Sequence, residues 1–98
     1  MSGERSVGVD GRVRAAENAH CRHFEDELVL LDLSNGQYFA LNALATQVWF
    51  ALLAGKSPIQ IATALETQYD VEHDVLVRDC VAFTNDLLQR GLVVPRIG

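Results

Sequence analysis

Between Leu28 and Leu44 the chain is one apolar run of strand type, broken once at Asn35-Gly36 and ending at Asn42, a residue type that starts helices. Asn-Gly between two apolar runs is the strongest short-range hairpin signal, because both central positions of a type I′ turn need positive φ. A two-residue loop there sets Leu33 opposite Tyr38, Asp32 opposite Phe39, Leu31 opposite Ala40 and Leu30 opposite Leu41. One sheet face then carries Leu28, Leu30, Phe39 and Leu41, and the other Val29, Leu31, Leu33, Tyr38 and Ala40. Both faces are largely apolar, so the pattern leaves open which one is the core.

Upstream, Met1 to Gly11 is rich in Gly, Ser and charge without a period and reads as a flexible N-terminal segment. Arg12 to Glu17 alternates charge and is expected to form an outer strand. His20 to Glu25 continues the extended character toward the hairpin, with Glu25-Asp26-Glu27 either a bulge or a bend in a long second strand. The expected result is a three-stranded antiparallel meander.

Downstream the period becomes helical. Leu44, Ala45, Val48, Trp49, Leu52 and Leu53 define a first helix with Asn42 as N-cap and Gly55 at C′. Ser57, Pro58 and Gln60 supply an N-cap, an N1 proline and a capping box for a second helix. Ile61, Ala62 and Leu65 form its apolar face, and its end is expected near Gln68 to Val71. Glu72 to Arg90 is a third helix, with Gly91 at C′ and Leu92 placed to touch Leu87. It carries two apolar stripes about 100° apart. Leu76, Cys80, Phe83 and Leu87 read as core, while Val77, Val81, Thr84 and Leu88 are left for a second packing surface. The fold class is α+β, one domain over 12–94 with a tail at 95–98.

Ninety-eight residues with a formal net charge of −5 make a single acidic domain with no room for a second. The arginines and the single lysine are scattered and form no basic stripe, so no nucleic-acid partner is expected. The longest apolar run falls short of the roughly 18 to 20 residues of a membrane span, and the N-terminus has no signal-peptide core. Cytoplasmic residence without membrane contact is the default. Cys21 and Cys80 are read as buried or free thiols.

His20-Cys21-Arg22-His23 is the one cluster of metal-ligand types, but strand alternation sends His20 away from Cys21 and His23, and two ligands do not make a zinc site. Asp32 is the most interesting carboxylate, and it reads as a strand-end Asp bonded to turn amides. No catalytic site, metal or cofactor is expected. The third strand, Gln37 to Leu41, is different: it is an edge without Lys, Pro or other charge to blunt it, whereas Arg12, Arg14 and Glu17 protect the first. Such an edge can receive a peptide as an added strand, or it can be covered by the third helix or by a second copy of the chain.

The spacing of Val29-Leu30-Leu31-Asp32, Gly36, Tyr38-Phe39, Leu41-Asn42, Val48-Trp49, Leu52, Gly55, Ile61, Leu65, Tyr69-Asp70-Val71, Asp79, Phe83, Leu87 and Arg90-Gly91-Leu92 resembles the PqqD-like RiPP recognition elements, most closely the stand-alone members of lasso-peptide biosynthesis. The resemblance implies a winged helix-turn-helix-like fold and a non-catalytic protein. Such a protein binds the leader of a ribosomally made precursor peptide as a strand beside the third strand and delivers it to the processing enzymes. Carried onto this sequence, it places peptide binding on Gln37, Tyr38, Phe39, Ala40 and Leu41 and on Val77, Val81, Thr84 and Leu88 of the last helix. The implied partners are the leader peptide, a leader peptidase and an ATP-dependent cyclase, with a homodimer left open. The alternatives are a PqqD-type peptide chaperone for quinone-cofactor biosynthesis and a winged-helix DNA-binding regulator, the second opposed by the acidic balance.

Overall fold

A computed structural model of the chain describes residues 6–25 and 27–96. The elements run β1 (Val13–Ala15), β2 (Ala19–Phe24), β3 (Glu27–Asp32), β4 (Gln37–Leu41), α1 (Ala43–Leu53), α2 (Pro58–Leu65), α3 (His73–Gln89) and β5 (Val93–Pro95). The architecture is α+β: an antiparallel meander in the order β2-β3-β4 followed by three helices, with β1 and β5 forming a separate two-stranded sheet.

The Asn35-Gly36 hairpin forms in a register other than the expected one. Leu31 pairs with Tyr38, Leu30 with Phe39, Val29 with Ala40, Leu28 with Leu41, and Asp32 with Gln37 rather than Phe39. Leu33 to Gly36 therefore make a longer turn in which only Gly36, at φ 75°, is left-handed. Asp32 organises it. Its carbonyl accepts from the Asn35 and Gly36 amides at 3.3 and 2.8 Å. Its carboxylate accepts from the Ser34 amide at 2.9 Å and the Ser34 hydroxyl at 2.6 Å. The displacement from the expected pairing is two residues, an even number, so every side chain stays on the face assigned to it. Leu28, Leu30 and Leu41 are buried while Tyr38 and Ala40 are exposed, which makes the Leu28–Leu30–Phe39–Leu41 face the core.

The first strand of the meander is β2, and the Arg12 to Glu17 segment belongs elsewhere. Phe24 pairs with Glu27, so the chain reverses between these two residues instead of running on as one long strand. Glu25 takes φ 58°, and Asp26 lies outside the described residues. β1 instead pairs with β5, Val13 opposite Pro95 and Ala15 opposite Val93. Val13 and Val93 are completely buried. The Arg96 guanidinium fastens this pair to α1 by donating to the carbonyls of Val13 at 2.9 Å and Leu53 at 3.1 Å. The second contact puts a cation at a helix C-terminus, where the helix dipole favours it.

The helix boundaries follow local chemistry. The Ala45 amide donates to the Asn42 side chain at 2.8 Å, and Ser57 and Gln60 form the capping box of α2. Gly55 and Gly91, at φ 91° and 73°, end α1 and α3 in Schellman fashion. The Lys56 amide donates to the Ala51 carbonyl at 3.1 Å, and that of Leu92 to Leu87 at 3.0 Å. α2 stops at Leu65, short of the expected Gln68, and the chain turns so that the Tyr69 hydroxyl accepts from the Gln47 amide at 3.1 Å.

The core gathers Leu28, Leu30, Val48, Trp49, Leu52, Ile61, Leu76, Leu87 and Leu92. Trp49 is buried with its indole N–H unpaired among the described residues, a desolvation cost of about 1–3 kcal/mol. The N-terminal segment is held from Val7 onward, in contrast to the flexible segment expected over 1–11. The Val7 amide donates to Asn85 Oδ1 at 2.7 Å, Asn85 Nδ2 donates back to the Val7 carbonyl at 3.2 Å, and the Ile59 amide donates to the Val9 carbonyl at 3.0 Å. Residues 1–5 and 97–98 lie outside the described residues.

Candidate functional site

β4 is an edge of the meander, and its hydrogen-bonding parity follows from β3. The Leu33 amide donates to the Asn18 carbonyl at 2.8 Å, so the odd-numbered residues of β3 bond to β2 and the even-numbered ones to β4. Phe39 and Leu41, opposite Leu30 and Leu28, turn their backbone groups inward, and Tyr38 and Ala40 turn theirs to the open edge. No described strand occupies that edge. The opposite edge is β2, where Arg22 and the two histidines stand, rather than the Arg12 to Glu17 segment.

α3 descends beside β4. The Arg90 guanidinium lies 4.5 Å from the centroid of the Phe39 ring, and Phe83 lines the same depression as Asn42. Phe83 stands seven residues before Arg90 on α3, about 10.5 Å along the helix, and Asn42 three residues after Phe39, about 10 Å along the chain. At the far end lies a depression of about 170 Å³. Leu44, Ala45 and Val48 of α1 form one side and Leu76, Asp79, Cys80 and Phe83 of α3 the other, with Leu65 also in its lining. Asp79 is exposed and Cys80 is buried. Burial, and then the charge of Asp79, push the Cys80 thiol pKa above its ordinary value.

The site residues named from sequence separate into two groups. Gln37 to Leu41 form the open strand β4. Val77, Val81, Thr84 and Leu88 do not line the depression. Thr84 and Leu88 are buried, at 0% and 3% exposure, and the Thr84 hydroxyl donates to the Cys80 carbonyl at 2.7 Å. Val77 and Val81 are half-buried on the flank toward Asn85, where Val7 is hydrogen-bonded. Thr84 and Leu88 of the second stripe are thus part of the interior. What meets the depression is the half-buried Phe83 with Leu76, Asp79 and Cys80, three of them from the stripe assigned wholly to the core. A signal for this was present: Leu76, Asp79 and Phe83 stand at i, i+3 and i+7, so one carboxylate interrupts an apolar helix face.

Asp32, as read, is structural. Its carboxylate accepts from Asn18 Nδ2 at 2.9 Å, and the same amide donates to the Gly91 carbonyl at 3.2 Å, joining the end of β3 to the end of α3. The hydrogen bonds from the Ser34 hydroxyl, Asn18 and the Ser34 amide hold its pKa below the ordinary value. On β2, His20 alternates away from Cys21 and His23, and both cysteines are free thiols. Among the described residues no three metal-ligating side chains come together, and no helix is long and apolar enough to cross a membrane.

The sequence profile of the family Coenzyme PQQ synthesis protein D (PqqD) matches residues 27–93, from the start of β3 to β5. The chain belongs to the PqqD family. Two solved structures resemble this PqqD-family chain over almost their whole length. "Lasso peptide synthetase B1 complexed with the leader peptide" has a TM-score of 0.80 at 31% identity, covering 86% of this chain and 99% of that one. "TbiB1 in Complex with the TbiA(beta) Leader Peptide" has a TM-score of 0.76 at 30% identity, covering 87% of this chain and 99% of that one. No curated protein sequence matches. The resemblance to PqqD-like RiPP recognition elements, and to the lasso-peptide members among them, is thus borne out.

Proposed function

We propose that this protein is a non-catalytic recognition element that binds the leader segment of a ribosomally made precursor peptide, of the lasso class, as a strand added to β4. The observation that carries the reading is the open edge of β4, with the backbone groups of Tyr38 and Ala40 unclaimed by any described strand and a depression between α1 and α3 just past the strand's end, at Asn42. The likeness to two proteins described in complex with leader peptides supports it. Backbone hydrogen bonds along β4 give such a complex its affinity, and the groove gives it its choice of side chains. The site then comprises Gln37 to Leu41 with Leu76, Asp79 and Phe83 in place of the second stripe. The bound peptide is presented to a leader peptidase and an ATP-dependent cyclase in the cytoplasm. The formal charge of −5 disfavours nucleic acid as the ligand.

Amide hydrogen exchange with and without a synthetic leader peptide of a lasso-type precursor tests the reading. Binding should slow exchange at Tyr38 and Ala40, whose amides face the open edge, and leave His23 on the opposite edge unchanged. Binding without protection at Tyr38 and Ala40 would refute strand addition, and absence of binding would refute leader recognition.

A further inference from the structure

We infer that Asp79 makes this groove select peptides carrying a lysine or arginine two residues away from an aliphatic side chain that fills the depression between α1 and α3. The inference deepens the peptide-binding reading and rests on it. The depression holds about 170 Å³, close to the roughly 150 Å³ of an apolar cavity known to accept benzene. One branched aliphatic side chain, similar in volume to benzene, fits it. Its walls from Leu44, Val48, Leu76 and Phe83 offer such a side chain no hydrogen bond, so the choice made inside it is by size and apolarity.

Asp79 is the one charged residue in the lining, and it is exposed. The two ion pairs among the described residues are His73 with Glu66 and Arg90 with Asp86, so no described cation neutralises it. The nearest cation along this face of α3, Arg90, is held by Asp86 at 3.0 Å and stacked on Phe39. The field of Asp79 reaches the depression itself, where it contributes to raising the pKa of the Cys80 thiol. In an added strand the next side chain on the same face lies two residues on, about 7 Å away. A lysine or arginine spans that distance and meets the carboxylate, whereas Asp or Glu there is repelled.

The test needs no known leader. A random peptide library displayed on phage is selected on the immobilised full chain and on the D79K variant, both verified as folded by circular dichroism. The wild type should enrich an aliphatic residue with Lys or Arg two places away, and D79K should keep the aliphatic residue and exchange the cation for Asp or Glu. For a synthetic wild-type winner, D79N should weaken binding about tenfold at low salt, and less as ionic strength rises. The same winner with its cation replaced by norleucine should bind both proteins equally. An aliphatic preference without a charge preference, or a cation preference that survives in D79K, overturns the role of Asp79 and leaves peptide binding standing. Absence of any enriched peptide on either protein overturns the peptide-groove reading itself, and the role of Asp79 with it.

Discussion

Arg90, the C-cap residue of α3, lays its guanidinium 4.5 Å from the centre of the Phe39 ring on β4, and so ties the end of the last helix to the middle of the open strand. Asp86, one turn back, orients the same guanidinium through Nε at 3.0 Å. Phe83, about two turns back along the same helix, lines the depression between α1 and α3. Arg90→Gln should cost about 0.5–1 kcal/mol in urea melts, the range of an exposed cation–π contact. Arg90→Lys, which keeps the charge without the flat stack, should recover only part of that loss.

The parity of β4 predicts the effect of removing one outward amide. Ala40→Pro removes a donor that faces the open edge and should weaken leader binding about tenfold while the free domain stays folded. His23→Pro, an outward position on the opposite edge, should leave binding unchanged. Fluorescence anisotropy with a labelled leader reads both, and equal losses in the two variants would count against addition at β4.

The division of labour on α3 can be tested by charge insertion. Leu88→Asp buries an uncompensated carboxylate and should unfold the domain or cost several kcal/mol. Leu87→Ala, also in the core, should cost about 2–5 kcal/mol. Phe83→Ala, at a half-buried position lining the depression, should cost less stability than Leu87→Ala and more leader affinity. Thermal melts of the free protein and anisotropy of the complex separate the two, and a folded Leu88→Asp protein with impaired binding would restore the second stripe as the groove wall.

Asp32 predicts an acid limb. Its pKa in the folded state lies below the ordinary value of 3.8, so the unfolded chain binds the proton first as pH falls. Its contribution is therefore complete above the unfolded pKa and lost as pH drops through the folded one. Urea midpoints from pH 6 down to about pH 2 should fall in the wild type, and the slope should be shallower in Asp32→Asn. An unchanged slope would show that other carboxylates set the acid limb.

What the sequence determined by itself was whatever depends on residues a few positions apart. Asn42, the Ser57-Pro58-Gln60 box, Gly55 and Gly91-Leu92 mark helix ends because each cap is made within about one turn of its helix. The two faces of the hairpin were legible because alternation survives a shift of two residues, and the bareness of β4 could be read from its five side chains. Tertiary structure decided the rest. The hairpin register depends on Asp32, whose carboxylate is held by Asn18, and Asn18 is held in turn by Gly91. β1 leaves the meander because its partner is β5, about eighty residues away, and no local pattern reports a partner at that distance. The same holds for the two stripes of α3. Periodicity shows that both are apolar, but which residues are buried is decided by what packs around the helix: Thr84 and Leu88 are in the interior, Asn85 holds Val7, and Phe83 and Asp79 line the depression beside α1.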